Sequence, residues 1–193
     1  MKISLSYKDF LIEIFNDSAF TQHNDSPTEY ENIYELEEDK EFQSSSQHAI
    51  TIYDGQSQRS SAILLGSSGA TSVDDNTAFI HKDNLIIRCS NAIFSLTLPR
   101  LKLNWITKAD PITCFGVYEY KQTYITHGEL FVCRLDTNGN VIWEFGGEDI
   151  FLKLDGENCF FMEEDSIILK DFSGVIYKID YEGKLLKVKD TNS

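Results

Sequence analysis

Proline, cysteine and basic residues are all scarce in this chain. Three prolines in 193 residues leave its strand-forming segments largely uninterrupted. No apolar run approaches the ~20 residues that a membrane-spanning helix needs. The start, MKISLSYKDFLIEIF, carries Asp9 and Glu13 within its apolar stretch, and no small-residue cleavage site follows, so a secretory signal is not expected. The four cysteines, Cys89, Cys114, Cys133 and Cys159, lie far apart and form no CxxC pair. That spacing points to reduced core thiols, and with no export signal the expected location is the cytoplasm. Lys and Arg number 17 against 31 Asp and Glu, for a net charge of -14 and a sequence pI near 4.6. A nucleic acid or an anionic membrane demands cations to replace counterions, so neither is an expected partner. Acidity of this order fits solubility or a basic protein partner.

Catalytic signatures are missing as well. His23, His48, His81 and His127 stand alone, with no HxH, HxxxH or HExxH pairing, so neither a metal nor another cofactor is expected. Gly66-Ser67-Ser68-Gly69 is one residue too short for a nucleophile elbow, and no Gly-Lys-Ser/Thr follows it to make a phosphate loop. Asp136-Thr137-Asn138-Gly139-Asn140 has the look of half a calcium loop, but position twelve is Gly147 where a bidentate Glu belongs. The carboxylate pairs Glu148-Asp149 and Glu163-Glu164-Asp165 flank turns, where neither member is desolvated enough for acid/base work. No enzyme is expected.

What the chain does have is strands. With 41% apolar and 12% aromatic residues it is globular, and its length suits one domain spanning 1–193. Thr123–Phe145, TYITHGELFVCRLDTNGNVIWEF, reads as strand, turn, strand, tight turn, strand. Phe131, Cys133 and Leu135 alternate with Val132 and Arg134, and Val141, Trp143 and Phe145 alternate with Ile142 and Glu144, the period of half-buried strands. Asn138-Gly139 supplies a two-residue hairpin turn and His127-Gly128 a looser turn before it. Met1–Phe15 reads as one or two strands with a kink near Lys8-Asp9. AITIYD and SAILLG form a hairpin around Gly55–Arg59. Residues 16–46 are polar, with eight acidic residues against Lys40 alone between Asp25 and Glu41. The piece TEYENIYELEEDKEF there fits a short helix with Ile33 and Leu36 inward, an acidic hairpin, or a solvated loop.

From 77 to 189 the chain repeats. Anchoring Asn84–Trp105, Thr123–Trp143 and Asp165–Leu186 on Ile93, Val132 and Ile176 brings Trp105, Trp143 and Leu186 to matching positions. A period near forty residues with several short strands per unit is the mark of a propeller-like array. CRLDTNGNVIWEF at Cys133–Phe145, and more weakly VIYKIDYEGKLL at Val175–Leu186, resembles the blade motif of quinoprotein and WD-type β-propellers. The resemblance covers 77–189 and implies blade-like sheets, with no cofactor site carried over. The expected fold is all-β: antiparallel blade-like repeats, a partial or small propeller, with a divergent acidic N-terminal segment.

The expected function is protein binding without catalysis. In its physical profile the chain resembles the small acidic immunity proteins that bacteria pair with basic toxins. On that reading Glu29, Glu31, Glu35, Glu37, Glu38, Asp39 and Glu41 face the basic partner, and Tyr30 or Tyr34 anchors it. A structural repeat scaffold, or a carbohydrate- or small-ligand-binding propeller using Trp105 and Trp143, are the alternatives. Open sheet edges make a dimer an expectation too.

Overall fold

The structure, a computed structural model, describes residues 1–21, 29–39, 43–152 and 157–189. Among them it holds seventeen strands and one 3₁₀ turn, Glu37–Asp39, arranged as four sheets that follow one another along the chain.

The first sheet is built from β1 (Lys2–Tyr7), β2 (Phe10–Asn16), β3 (Asn32–Glu35), β4 (Ser46–Asp54) and β5 (Ser57–Gly66), in the order β1-β2-β4-β5-β3. The kink at Lys8-Asp9 is the turn of its first hairpin. Between β4 and β5 the loop shrinks to Gly55-Gln56, shorter than the expected Gly55–Arg59, because Ser57 and Gln58 are already paired with Asp54 and Tyr53. The acidic segment is neither a helix nor a hairpin. β3 runs parallel to β5, with Ile33 opposite Ile63 and Tyr34 opposite Leu64, and the 3₁₀ turn follows it.

The other three sheets are four-stranded antiparallel meanders in simple sequence order. The second holds β6 (Ala78–His81), β7 (Asn84–Cys89), β8 (Ala92–Thr97) and β9 (Lys102–Lys108). The third holds β10 (Cys114–Tyr120), β11 (Thr123–Gly128), β12 (Phe131–Leu135) and β13 (Val141–Gly146), and the fourth β14 (Phe160–Met162), β15 (Ile167–Lys170), β16 (Ile176–Ile179) and β17 (Leu185–Lys189). These are the repeats read from 77 onward, and the first sheet adds a unit that the repeat did not reveal.

Two turn assignments need correction. Asp136–Asn140 is a five-residue loop between β12 and β13, not a two-residue hairpin. The Asp136 carboxylate accepts the N–H groups of Asn138 and Asn140 at 2.8 and 2.9 Å, and only Gly139, at φ +83, is left-handed. An Asp at the head of the loop favours this Asx-stabilised form over the primed hairpin turn. His127-Gly128 lies inside β11, and the turn falls at Glu129-Leu130. His127 is therefore not a solvated turn residue. It is 7% exposed, bonded through Nε2 to the Phe151 carbonyl at 3.2 Å and stacked on Phe160.

Adjacent sheets pack face to face, and each interface has its own apolar cluster. Ile12, Ile14, Ile50, Ile52 and Leu64 meet Leu85, Ile87, Phe94 and Leu96 between sheets one and two. Ile86 and Ile93 meet Tyr124, Cys133 and Leu135 between two and three. Ile125 and Val132 meet Phe160, Ile167, Leu169, Tyr177 and Ile179 between three and four. Period-two alternation explains how one strand serves two interfaces: Ile86 turns to one side, Leu85 and Ile87 to the other.

A repeated clasp ties each outer strand to the following sheet. Trp105 donates its indole N–H to the Thr137 carbonyl at 3.0 Å, and Trp143 does the same to Tyr181 at 3.0 Å. Both rings lie against a turn glycine, Gly139 and Gly183, each with positive φ. Between sheets one and two a tyrosine takes the role. The Tyr34 hydroxyl donates to the Leu101 carbonyl at 2.9 Å and accepts the Leu103 N–H at 3.2 Å. All four cysteines are buried as thiols.

Candidate functional site

The acidic stretch occupies the outer edge of the first sheet. Tyr34 points into the cluster between sheets one and two, so strand alternation turns Glu31, Ile33 and Glu35 to the opposite, outward side. Glu29, Glu31, Glu37 and Glu38 are exposed and Glu35 is half-buried. Asp39 closes the 3₁₀ turn, and Glu41 lies outside the described residues. Glu38 reaches Lys108 of the second sheet at 2.6 Å.

The two tyrosines proposed as anchors are committed to the fold. Tyr30 donates to Asp17 Oδ2 at 2.7 Å and packs edge-on against Phe20. Burial, then the hydrogen bond to the Asp17 carboxylate, raises its pKa far above the ordinary tyrosine value. Tyr34 is held by the clasp at Leu101 and Leu103. What the segment offers outward is therefore carboxylate charge around exposed Ile33, carried on a strand whose backbone is hydrogen-bonded to β5 and, through the Glu31 N–H, to Ser61 Oγ at 3.2 Å.

The tryptophans are likewise spent. Each indole is half-buried on the next sheet's turn with its N–H already donated, which leaves neither as an open platform for a sugar ring.

Several polar features escaped the sequence reading. Arg88 is 2% exposed and donates to Asp74 Oδ2 at 2.7 Å and to the Ser72 carbonyl at 3.2 Å. His81, almost fully buried, lies with Nδ1 3.2 Å from Glu119 and edge-on to Tyr124. A cleft of about 380 Å³ between the first strands of sheets two and three is lined by Asn76, Phe79, Ile80, Tyr118, Glu119 and Met162. Its walls are mostly apolar, with the carboxylates of Asp75 and Glu119 among them, suited to holding a small apolar group. Burial pushes the Cys114 and Cys133 thiols up to about 12, so both are protonated and poor nucleophiles at neutral pH. Among the described residues no three His, Cys, Asp or Glu converge on a metal position. No helix there is long and apolar enough to cross a membrane.

No protein-family model and no curated protein matches this chain in sequence. In structure it is similar to the CNH domain of AfRom2, with a TM-score of 0.54 and 9% identity over 98% of this chain and 54% of that one. It is also similar to two computationally designed proteins. Ika8 gives a TM-score of 0.52 and 8% identity over 96% of this chain and 60% of that one. Ika4 gives 0.50 and 11% over 64% and 77%. At such identities the likeness concerns the fold alone, and it is a β-propeller-like fold of stacked antiparallel sheets. The chain spans about half the length of the CNH domain that it matches.

Proposed function

We propose that this protein is a non-enzymatic, β-propeller-like scaffold that binds another protein through the acidic outer edge of its first sheet. The observation that carries this reading is the placement of Glu29, Glu31, Glu37 and Glu38. All four are exposed, while Tyr30 and Tyr34 beside them pin the backbone to the sheets. Charge held on the short segments flanking a pinned strand loses little entropy on binding and steers a basic partner at long range. Ile33, 45% exposed, supplies an apolar centre within that acidic rim. Neutralising a basic toxin in the cytoplasm, as bacterial immunity proteins do, is the sharpest form of this role; a scaffold that assembles cellular partners uses the same surface.

The test is a quadruple Glu29, Glu31, Glu37, Glu38→Ser variant, titrated calorimetrically against a basic protein retained by the wild type at low salt. Four rim charges at a few tenths of a kcal/mol or more each predict an affinity loss of about tenfold, with a flatter salt dependence. An unchanged affinity and salt slope would rule the surface out.

A further inference from the structure

The two ends of the array differ. On the first sheet, Phe20 and Tyr30 cover Ile63 and Leu65 on the side away from sheet two. Among the described residues the fourth sheet has no such cover. Tyr177, Ile179, Ile167, Leu169 and Phe160 face sheet three, so alternation turns Phe161, Ile168, Ile176, Lys170 and Lys178 the other way. Pairing puts Lys187 beside Lys178 and Lys189 beside Ile176. Phe161 is 49% exposed, and Lys187 and Lys189 are exposed. Among the described residues, the carboxylates paired with lysines of this face are Glu157, bonded to Lys170, and Glu163, bonded to Lys178. In a chain of net charge -14, this face carries more cations than anions.

Among the described residues no apolar cluster joins sheet four to sheet one. The chain therefore presents an open basic, apolar face at one end and an acidic rim around exposed Ile33 at the other.

We infer that a second copy of this chain docks head to tail, the outward face of sheet four of each copy meeting the outward edge of sheet one of the other. This rests on the reading of the acidic rim as a contact surface, and names a partner for it. Lys178, Lys187 and Lys189 meet Glu29, Glu31 and Glu35, and Phe161, Ile168 and Ile176 meet Ile33. Charge selects this pairing over its rivals. Two copies joined through sheet four would set lysines against lysines, and two joined through sheet one would set glutamates against glutamates. A head-to-tail contact satisfied twice between two copies closes on a two-fold axis.

Sedimentation equilibrium on the full chain tests this, over a concentration series at low salt and again at high salt. Wild type is expected to reach twice its 22.1 kDa and to dissociate as salt rises. K178E/K187E/K189E and E29K/E31K/E35K should each weaken association by about tenfold or more. Mixed one to one they should dimerise with each other, because both contacts of the pair are then complementary. Circular dichroism melts establish that each variant is folded, and the mixing arm gains function, so misfolding cannot imitate it. A wild type that stays monomeric at every concentration overturns the inference, as does a dimer that neither variant weakens or a mixture that fails to associate. If the wild type is monomeric yet the quadruple serine variant still loses affinity for a basic protein, the acidic rim stands as a contact surface and only its occupancy by a second copy falls.

Discussion

Gly139 shows how much of this architecture rests on single residues. Its φ of +83 is a conformation that residues with a Cβ resist, and a Cβ there would fall 2.5 Å from the Trp105 ring. Gly55 is the natural control, with φ +59 and nothing within 4 Å of where its Cβ would lie. Gly139→Ala should therefore lose both the left-handed preference and the indole seat, about 2–4 kcal/mol. Gly55→Ala should lose only the first, about 1 kcal/mol. Urea denaturation of the two variants measures the difference, and equal losses would show that the tryptophan seat contributes nothing. Trp105 and Trp143 were legible as equivalent positions from their spacing in the repeat. That they reach across to the next sheet's turn was not, because a spacing reports equivalence and never the contact itself.

At the scale of the element, the strands that alternate cleanly were the readable ones, and β3 was not. A four-residue strand, NIYE, is too short to separate period two from a helical turn, and the acids around it read equally as a solvated loop. It also joins its sheet out of order, alongside β5 in parallel, a pairing that local pattern does not encode. The consequence for the candidate site is direct. The acidic cluster was legible in the sequence, but how the tyrosines within it are held was not, since only the tertiary placement shows Tyr34 bridging Leu101 and Leu103. Tyr34→Phe should accordingly act on stability. It leaves the Leu101 carbonyl and Leu103 N–H without their shared partner, at a cost of about 1–2 kcal/mol, and should lower the melting temperature by several degrees. Substituting Ser for Glu29 or Glu31 should stay within about 0.5 kcal/mol, as exposed positions generally do. A Tyr34→Phe variant with wild-type melting would return that residue to the pool of partner contacts.

For the molecule as a whole, acidity and buried histidines pull stability in opposite directions as pH falls. His48 and His127 are each lowered to about 4, chiefly by burial, against carbonyl hydrogen bonds that favour the proton. The unfolded chain takes up these protons from about pH 6.5 downward, the native chain only near pH 4. The stability gained by keeping both imidazoles neutral is complete above about pH 6.5 and drains away through that window. Over the same range the net charge of -14 shrinks toward the pI of 4.6, which relieves self-repulsion and stabilises the compact state. Salt separates the two, because at about 0.5 M surface repulsion is screened within a few ångströms while the buried rings feel little of it. Melting temperature at high salt should then fall steadily from pH 6.5 to 4.5. Two of the depressed carboxylates, Asp136 and Asp171, do not confuse that interval. Asp136, held down by Asn140 and the loop N–H groups, and Asp171, held down by Ser173, Tyr177 and nearby N–H groups against a burial penalty, lose their contribution only at lower pH. His127→Phe keeps an aromatic ring on Phe160 and removes one titrating site, so its melting temperature should fall less steeply across the window. An identical slope in the variant would mean that His127 takes up its proton as readily in the native protein as in the unfolded chain, and that the interface between the third and fourth sheets is open to water there.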